Sequence, residues 1–414
     1  MRGALAALAA ALAVAAACSG LASPPAVLVV GAVYPLSGPQ AAGGREELAG
    51  VQAALELARR GGWLGSRRVR LEVMDAQTPD AAVAGVRRLV EVRHAPVVIG
   101  TYGSTLAEAA AAQADQLHTV YWETGAVADS VVLKHPYVFR TVAGGSTLGQ
   151  MAVEFTGKVL MPRLGRPAAQ ARAAIVYVDD VYGRSVAQGE VARAAQLGIP
   201  VVDRIGYDPY RYDAVAIVQR LARARPDFLW DVSYLDDGIA IWQQVLRQRV
   251  PLQAAVGTSS AFCMPEFGRR LGADAVGVFA ADKPDDEVNI AGLQPDGRAL
   301  LAQARAVYAA QNGGKAMSIP AVAGFTGGWT LFHEVLPRVT GKVTADEIRH
   351  AAFQVDVPVG ASINGGGVRF GSAEAADAGQ NRRAAAVVGQ WVAVEQMRVV
   401  YPPAFATATP LPAA

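Results

Sequence analysis

The sequence predicts an α/β protein built from two similar lobes, each around a parallel sheet. Near-continuous apolar strands alternate with amphipathic helices, as a parallel sheet covered on both faces requires. The alternation runs twice, in two series of similar size. The chain has 414 residues, more than one ordinary hydrophobic core accommodates.

The first series opens at Val27-Leu28-Val29-Val30-Gly31-Ala32-Val33, a buried strand. A helix over 46–60 follows, because Leu48, Val51, Ala54, Leu55 and Ala58 share one face. Residues 69–74 form a strand ending at Asp75. Thr78-Pro79-Asp80 then starts a helix, with the proline suited to its first turn. Strand 96–100, helix 105–116 and strand 118–122 complete the series.

The second series has strands at 173–178, 200–205, 228–232, 253–257 and 276–280. Helices at 183–197, 213–224 and 236–249 separate the first four. Helices over 295–311, 320–336 and 344–353 follow, the last opened by the capping-box pattern Thr344-Ala345-Asp346-Glu347. After Pro358 the pattern changes to glycine-rich hairpins, and 384–395 reads as a strand. The Pro/Ala/Thr-rich stretch 402–414 reads as a flexible tail.

Met1-Arg2-Gly3 and the Ala/Leu/Val run that ends at Cys18 form a basic start, an apolar core and a small-residue end. That is a secretory signal peptide, residues 1–17, too short to span a bilayer comfortably. Ala15-Ala16-Ala17-Cys18 resembles a bacterial lipobox, which implies lipidation of Cys18; cleavage after Ala17 or Ser23 without lipidation is the alternative. The chain therefore reads as exported, periplasmic or held at the cell surface by acyl chains.

Cys263 is the only other cysteine, and His94, His118, His135, His333 and His350 have no close metal-ligand spacing. No metal site and no cofactor are expected. The formal charge of +2 gives no overall footprint for nucleic acid.

Ligands of open parallel sheets bind beyond the carboxyl ends of the strands. That rule selects Ser37 in the loop after the first strand, and Tyr102, Gly103, Ser104 and Thr105 in a second loop. It also selects Trp122, Glu123, Gly125 and Val127 in a third. In the second lobe it selects 179–183 and 231–234, which hold Tyr182 and Tyr234. Free N–H groups at a helix start, with the hydroxyls of Ser104 and Thr105, suit a carboxylate; either hydroxyl could instead cap its own helix. Glu123 ends an apolar strand, where an unpaired carboxylate is costly. A ligand ammonium or an internal arginine such as Arg140 would relieve that cost. Trp122, Tyr182, Trp230 and Tyr234 could wall an apolar pocket or serve as ordinary packing.

The motifs Pro35-Leu36-Ser37-Gly38, Val98-Ile99-Gly100-Thr101 and Tyr137-Val138-Phe139-Arg140-Thr141 carry a resemblance, as do Asp179-Asp180-Val181-Tyr182-Gly183 and Pro226-Asp227-Phe228. In this order the chain resembles the branched-chain amino acid binding proteins of bacterial ABC importers, type I periplasmic binding proteins. The resemblance implies two Rossmann-like lobes with parallel sheets joined by a three-strand hinge. The crossovers would fall near 140–144, 281–283 and 355–360. The N-terminal lobe would then hold 26–141 with 283–356, and the C-terminal lobe 142–282 with 357–401. It also implies that Ser104 or Thr105, with the backbone of Gly125 and Val127, holds a ligand carboxylate, and that Tyr182 and Tyr234 wall the cleft. Its partners would be a small-molecule ligand and an ABC permease with its ATPase, and the chain would act as a monomer.

Three departures matter. Val127 replaces a threonine of the amino acid binders, and Gly43 stands where the first loop has an aromatic residue. Gly257-Thr258-Ser259-Ser260 lacks the acid that pairs the ammonium, which leaves Ser259 in its place and Glu123 as a substitute counter-charge. The ligand is thus an amino acid or a relative, or else an amide, a urea-like solute or a small aromatic acid. A ligand sensor is a further reading. Catalysis has little support: the sequence lacks a GxSxG elbow, and Asp179-Asp180 and Asp236-Asp237 read as turn and cap residues.

Overall fold

The computed structural model describes residues 27–411; the leader and Cys18 lie outside them. The first sheet is wholly parallel, in the order β2-β1-β3-β4-β5. Its strands are β1 (Val27–Tyr34), β2 (Arg68–Asp75), β3 (Val97–Gly100), β4 (Val120–Glu123) and β5 (Val138–Arg140). Between them lie α1 (Ala41–Arg60), α2 (Pro79–Arg87) and α3 (Ser104–Gln116).

The second half holds α4 (Gly145–Phe155), β6 (Ala173–Val178), α5 (Val181–Leu197), β7 (Val201–Tyr207), α6 (Ala214–Ala224) and β8 (Phe228–Val232). It continues with α7 (Leu235–Arg247), β9 (Ala254–Thr258), α8 (Pro265–Leu271) and β10 (Phe279–Asp282). The helices α9 (Pro295–Gln311), α10 (Ile319–Trp329) and α11 (Ala345–Phe353) precede β11 (Val387–Ala393) and β12 (Gln396–Tyr401). The second sheet runs β12-β11-β10-β9-β8-β6-β7. Its parallel part repeats the strand order of the first sheet, and β11 and β12 add an antiparallel edge. In each sheet the order reverses beside the first strand, where a crevice for ligand opens.

Helices α9, α10 and α11 follow the parallel strands of the second sheet in sequence but pack on the first. Leu301, Val322, Phe325 and Ile348 share one buried cluster with Val30, Val97 and Val120. Leu106, Ala110 and Val86 cover the other face with Val33 and Val98. The densest seam joins α1 to α10. A Cβ at Gly50 would collide with the Ala321 carbonyl, and one at Gly324 with the Glu47 carbonyl. Only glycine lets these two backbones approach so closely.

Several elements differ from the sequence reading. Helix α1 starts at Ala41, five residues before Glu46. Gly43 and Gly44 are poor helix formers, yet their missing side chains admit the Tyr102 ring and Pro35. Residues 396–401 are a further strand, paired with β11. Val357, Ile363, Val368 and Phe370 lie in the core of the first sheet. Gln380 bridges to Arg140, so the third crossing falls after Asn381 rather than at 355–360. The tail does not fray through residue 411. Phe405 packs on the first core, and the Leu411 N–H donates to Gln390 Oε1 at 2.7 Å. None of the described helices is long and apolar enough to cross a membrane.

The α1–α10 seam yields a direct expectation. Gly50→Val or Gly324→Val should cost about 2–3 kcal/mol by forced overpacking. A urea midpoint within error of the parent protein would show that the two helices do not meet as described.

Candidate functional site

The site begins with a buried carboxylate. Glu123 ends β4 and is fully buried. Its Oε1 accepts the N–H groups of Gly125 and Ala126, both at 2.7 Å, and its Oε2 accepts that of Thr101 at 3.0 Å. One side chain thus ties the loop after β3 to the loop after β4. Burial pushes the Glu123 carboxyl up to about 7, while the three N–H groups pull it back. Glu47 of α1 lies beside it, bonded by the Thr124 hydroxyl, which also pairs with the Tyr34 hydroxyl at 2.7 Å. Burial, then the charge of Glu123, pushes Glu47 up to about 8. Two dry carboxyls this close do not both ionise at neutral pH, so the pair retains a proton.

These loops form one wall of a small cavity, about 10 Å³, between the two halves. Tyr102, Gly103, Ser104, Gly125 and Val127 line the first side. Tyr182, Tyr234, Ser259, Ser260 and Lys283 line the other. The volume admits about one water molecule, so a solute enters only when the halves part. Gly103 is the N-cap of α3, and no side chain caps that helix. The uncapped start of α3 therefore offers N–H groups and positive potential to an anion. The Ser104 hydroxyl accepts the Ala128 N–H at 3.1 Å, which fastens α3 to the third loop.

Lys283 is the one cationic lining residue. Its Nζ lies 3.1 Å from Asp282 Oδ1 and 3.5 Å from both the Gly125 carbonyl and Ser259 Oγ. Burial, the largest influence, lowers the ammonium's pKa, but the charge and hydrogen bond of Asp282, with Cys263 and Glu47, together outweigh it and the net shift is upward. The aromatic wall is Tyr182 and Tyr234, with ring centroids 5.4 Å apart. Tyr102 reaches across to Met264 Sδ at 3.7 Å. The Tyr102 ring also occupies the space beside Gly43, so the second loop supplies the aromatic ring that the first loop lacks.

Beyond Tyr234 lies an outer compartment of about 540 Å³, bounded by Ser37, Gln40, Thr105, Tyr210 and Tyr212 among others. Asp180 stands at the partition. Its Oδ1 caps α5 through the N–H groups of Tyr182 and Gly183. Its Oδ2 accepts the Tyr234 hydroxyl at 2.6 Å and the Thr105 hydroxyl at 3.4 Å.

Of the sequence candidates, Tyr102, Gly103, Ser104, Gly125, Val127, Tyr182, Tyr234 and Ser259 converge on the inner cavity. Ser37 and Thr105 face the outer compartment, and Ser37 is bonded to Asp75. Trp122 is a core residue instead: its Nε1 donates to the Gly327 carbonyl at 2.9 Å and its ring stacks on Phe139. Trp230 is likewise internal, donating to Thr156 Oγ1 at 3.0 Å. Glu123 does not line the cavity, because backbone N–H groups hold both its oxygens; it forms no ion pair with Arg140, yet the guanidinium on the neighbouring strand still lowers its pKa. The Arg140 guanidinium goes to the carbonyls of Val127 and Ala128 and to Gln380. Asp237 caps α7, and Asp236 pairs with Arg270. Lys283 and Ser260 were missed. Lys283 follows the last residue of β10, so the rule of strand carboxyl ends, applied to that strand, would have found it.

Two mostly parallel sheets whose strand carboxyl ends line a closed crevice between them have the build of a two-lobed binding protein. A profile of the periplasmic binding protein family matches residues 28–365, and the chain belongs to that family. It is 29% identical over 363 residues to Leu/Ile/Val-binding protein homolog 8 of Brucella abortus, covering 87% of each chain. Its fold is that of the leucine-binding protein LivK of Thermotoga maritima, at a TM-score of 0.75 and 18% identity, over 90% of this chain and 97% of that one. A solute-binding protein of R. palustris in complex with benzoate superposes at 0.74 with 17% identity, over 94% and 99%. The protein is therefore a periplasmic binding protein, similar to the Leu/Ile/Val-binding homologues. The family implies export to the periplasm, and its members bind solutes rather than transform them.

The carboxyl pair sets a pH dependence. Both groups lie above their ordinary value of 4.5. Their contribution to stability is full below that value and is lost as pH rises through about 7 to 8. Glu47→Gln keeps an acceptor for Thr124 and removes one titration, so its melting temperature should fall less steeply across this range. An unchanged slope in thermal unfolding would refute the assignment.

Proposed function

We propose that this protein captures a small organic carboxylate lacking an ammonium group, such as an aromatic acid, between its lobes and delivers it to an ABC permease with its ATPase. The observation that carries this reading is the charge of the inner cavity. Lys283, the uncapped start of α3 and the hydroxyls of Ser104 and Ser259 suit a carboxylate. Among the described residues no aspartate or glutamate lines the inner cavity to meet an ammonium. Tyr182 and Tyr234 offer flat faces to an aromatic ring. The benzoate complex of the R. palustris protein shows that this fold serves such a ligand.

An α-amino acid is the second reading. It is favoured by the kinship with Leu/Ile/Val-binding homologues, and the Gly125 carbonyl would have to take the ammonium. In either case the protein acts as a monomer, and lipidation of Cys18 would hold it at the membrane.

Thermal shift with benzoate, benzamide and leucine, followed by titration calorimetry, separates these readings. Ligand at a hundred times its dissociation constant stabilises by about 2.7 kcal/mol. Benzoate should shift the transition, benzamide should not, and Lys283→Met should abolish the benzoate response. A response to leucine that needs both its charged groups would replace the carboxylate reading with the amino acid one.

A further inference from the structure

The end of the first lobe opposite the cleft carries a concentrated positive charge. Residues 56–72 and 87–93 hold eight arginines against three glutamates, in a chain whose formal charge is only +2. The rest of the protein is therefore net acidic. The two segments lie together: Glu72 of β2 pairs with Arg70 at 2.9 Å and with Arg93 at 3.8 Å. Glu56 is shared by Arg59 and Arg60. Arg68, Arg87 and Arg88 are exposed and form no ion pair among the described residues. A groove of about 370 Å³, with Arg59, Arg67 and Arg68 on its walls, opens on this end. Exposed Val92 lies in the same stretch.

The position of the chain start gives the patch its partner. Val27, where β1 begins, is the register partner of Arg68. Eight residues separate Cys18 from Val27, a reach of at most about 32 Å when fully extended. A chain held through Cys18 would therefore keep this end near the lipid surface. The cleft lies at the opposite, carboxyl ends of the same strands, so contact here leaves it free.

We propose that this arginine-rich end is a docking surface for anionic phospholipid headgroups, with the 370 Å³ groove taking a headgroup phosphate. Guanidinium forks match phosphate oxygens in pairs. Surface attraction of this kind fades within about a Debye length, roughly 8–10 Å at moderate salt, and only a patch held close to the bilayer exploits it.

Co-sedimentation of the full chain with vesicles tests this, using phosphatidylcholine alone and phosphatidylcholine mixed with phosphatidylglycerol. The leader is present in the parent and in an Arg68→Gln/Arg87→Gln/Arg88→Gln variant, so the difference between the two proteins reports the patch. The parent should prefer the anionic vesicles, and added salt should weaken its binding. The variant should bind them about a hundredfold less tightly, as expected for three basic residues near an anionic surface. Its far-ultraviolet dichroism and melting temperature should match the parent, which excludes misfolding as the cause. Equal binding by both proteins, or equal binding to both vesicle types, would overturn the proposal. So would affinity for duplex DNA equal to that for anionic vesicles, since the patch would then answer to polyanions in general.

Discussion

Everything at the cleft depends on the carboxylate of Glu123. A buried charge is tolerated only where hydrogen bonds replace its lost hydration, and here three backbone N–H groups do so. The bond to Thr101 fixes the turn that starts α3. The bonds to Gly125 and Ala126 fix the opposing loop. Replacing this side chain with alanine would leave the buried N–H groups of Thr101 and Gly125 without partners, and only the Ala126 N–H, which also donates to the Thr101 carbonyl at 3.2 Å, would still tie the two loops. The wall that faces the solute is thus shaped from behind by a group that never reaches it.

Lys283 completes the cleft by a different device. It spans the halves, with the Gly125 carbonyl on one side and Ser259 on the other. Its ion pair with Asp282 is almost wholly buried and costs desolvation on both partners. On the proposed carboxylate reading, a ligand anion arriving at the ammonium would add a second negative partner to a site that already holds one, so Asp282 would tune affinity as well as Lys283.

The loops of the site were legible because strand ends are easy to read in near-continuous apolar runs such as 27–33 and 173–178. The carboxyl-end rule then found seven of the ten residues around the inner cavity, and the family resemblance added Ser259. It failed where side-chain direction decides. Trp122 and Glu123 end the same strand as the binding loop, yet both point into the lobe. Gly43 and Gly44 hid the start of α1, because helix propensity ignores the close contacts that glycine permits there. The third crossing was misplaced because 357–381 has short bridges rather than long strands, and only packing shows which core it joins.

The seam between α1 and α10 also bears on how the chain is made. Gly50 and Ala321 are in contact although most of the sequence lies between them. The first core therefore cannot close when its own sheet leaves the ribosome; it waits for helices encoded after the parallel strands of the second sheet. Such distant pairings slow folding, since the closure entropy is paid before the contact forms. Until residues 319–329 are synthesised, α1 exposes an apolar face without its partner. The first lobe thus stays incomplete while the parallel strands of the second are made, and is finished before its antiparallel edge.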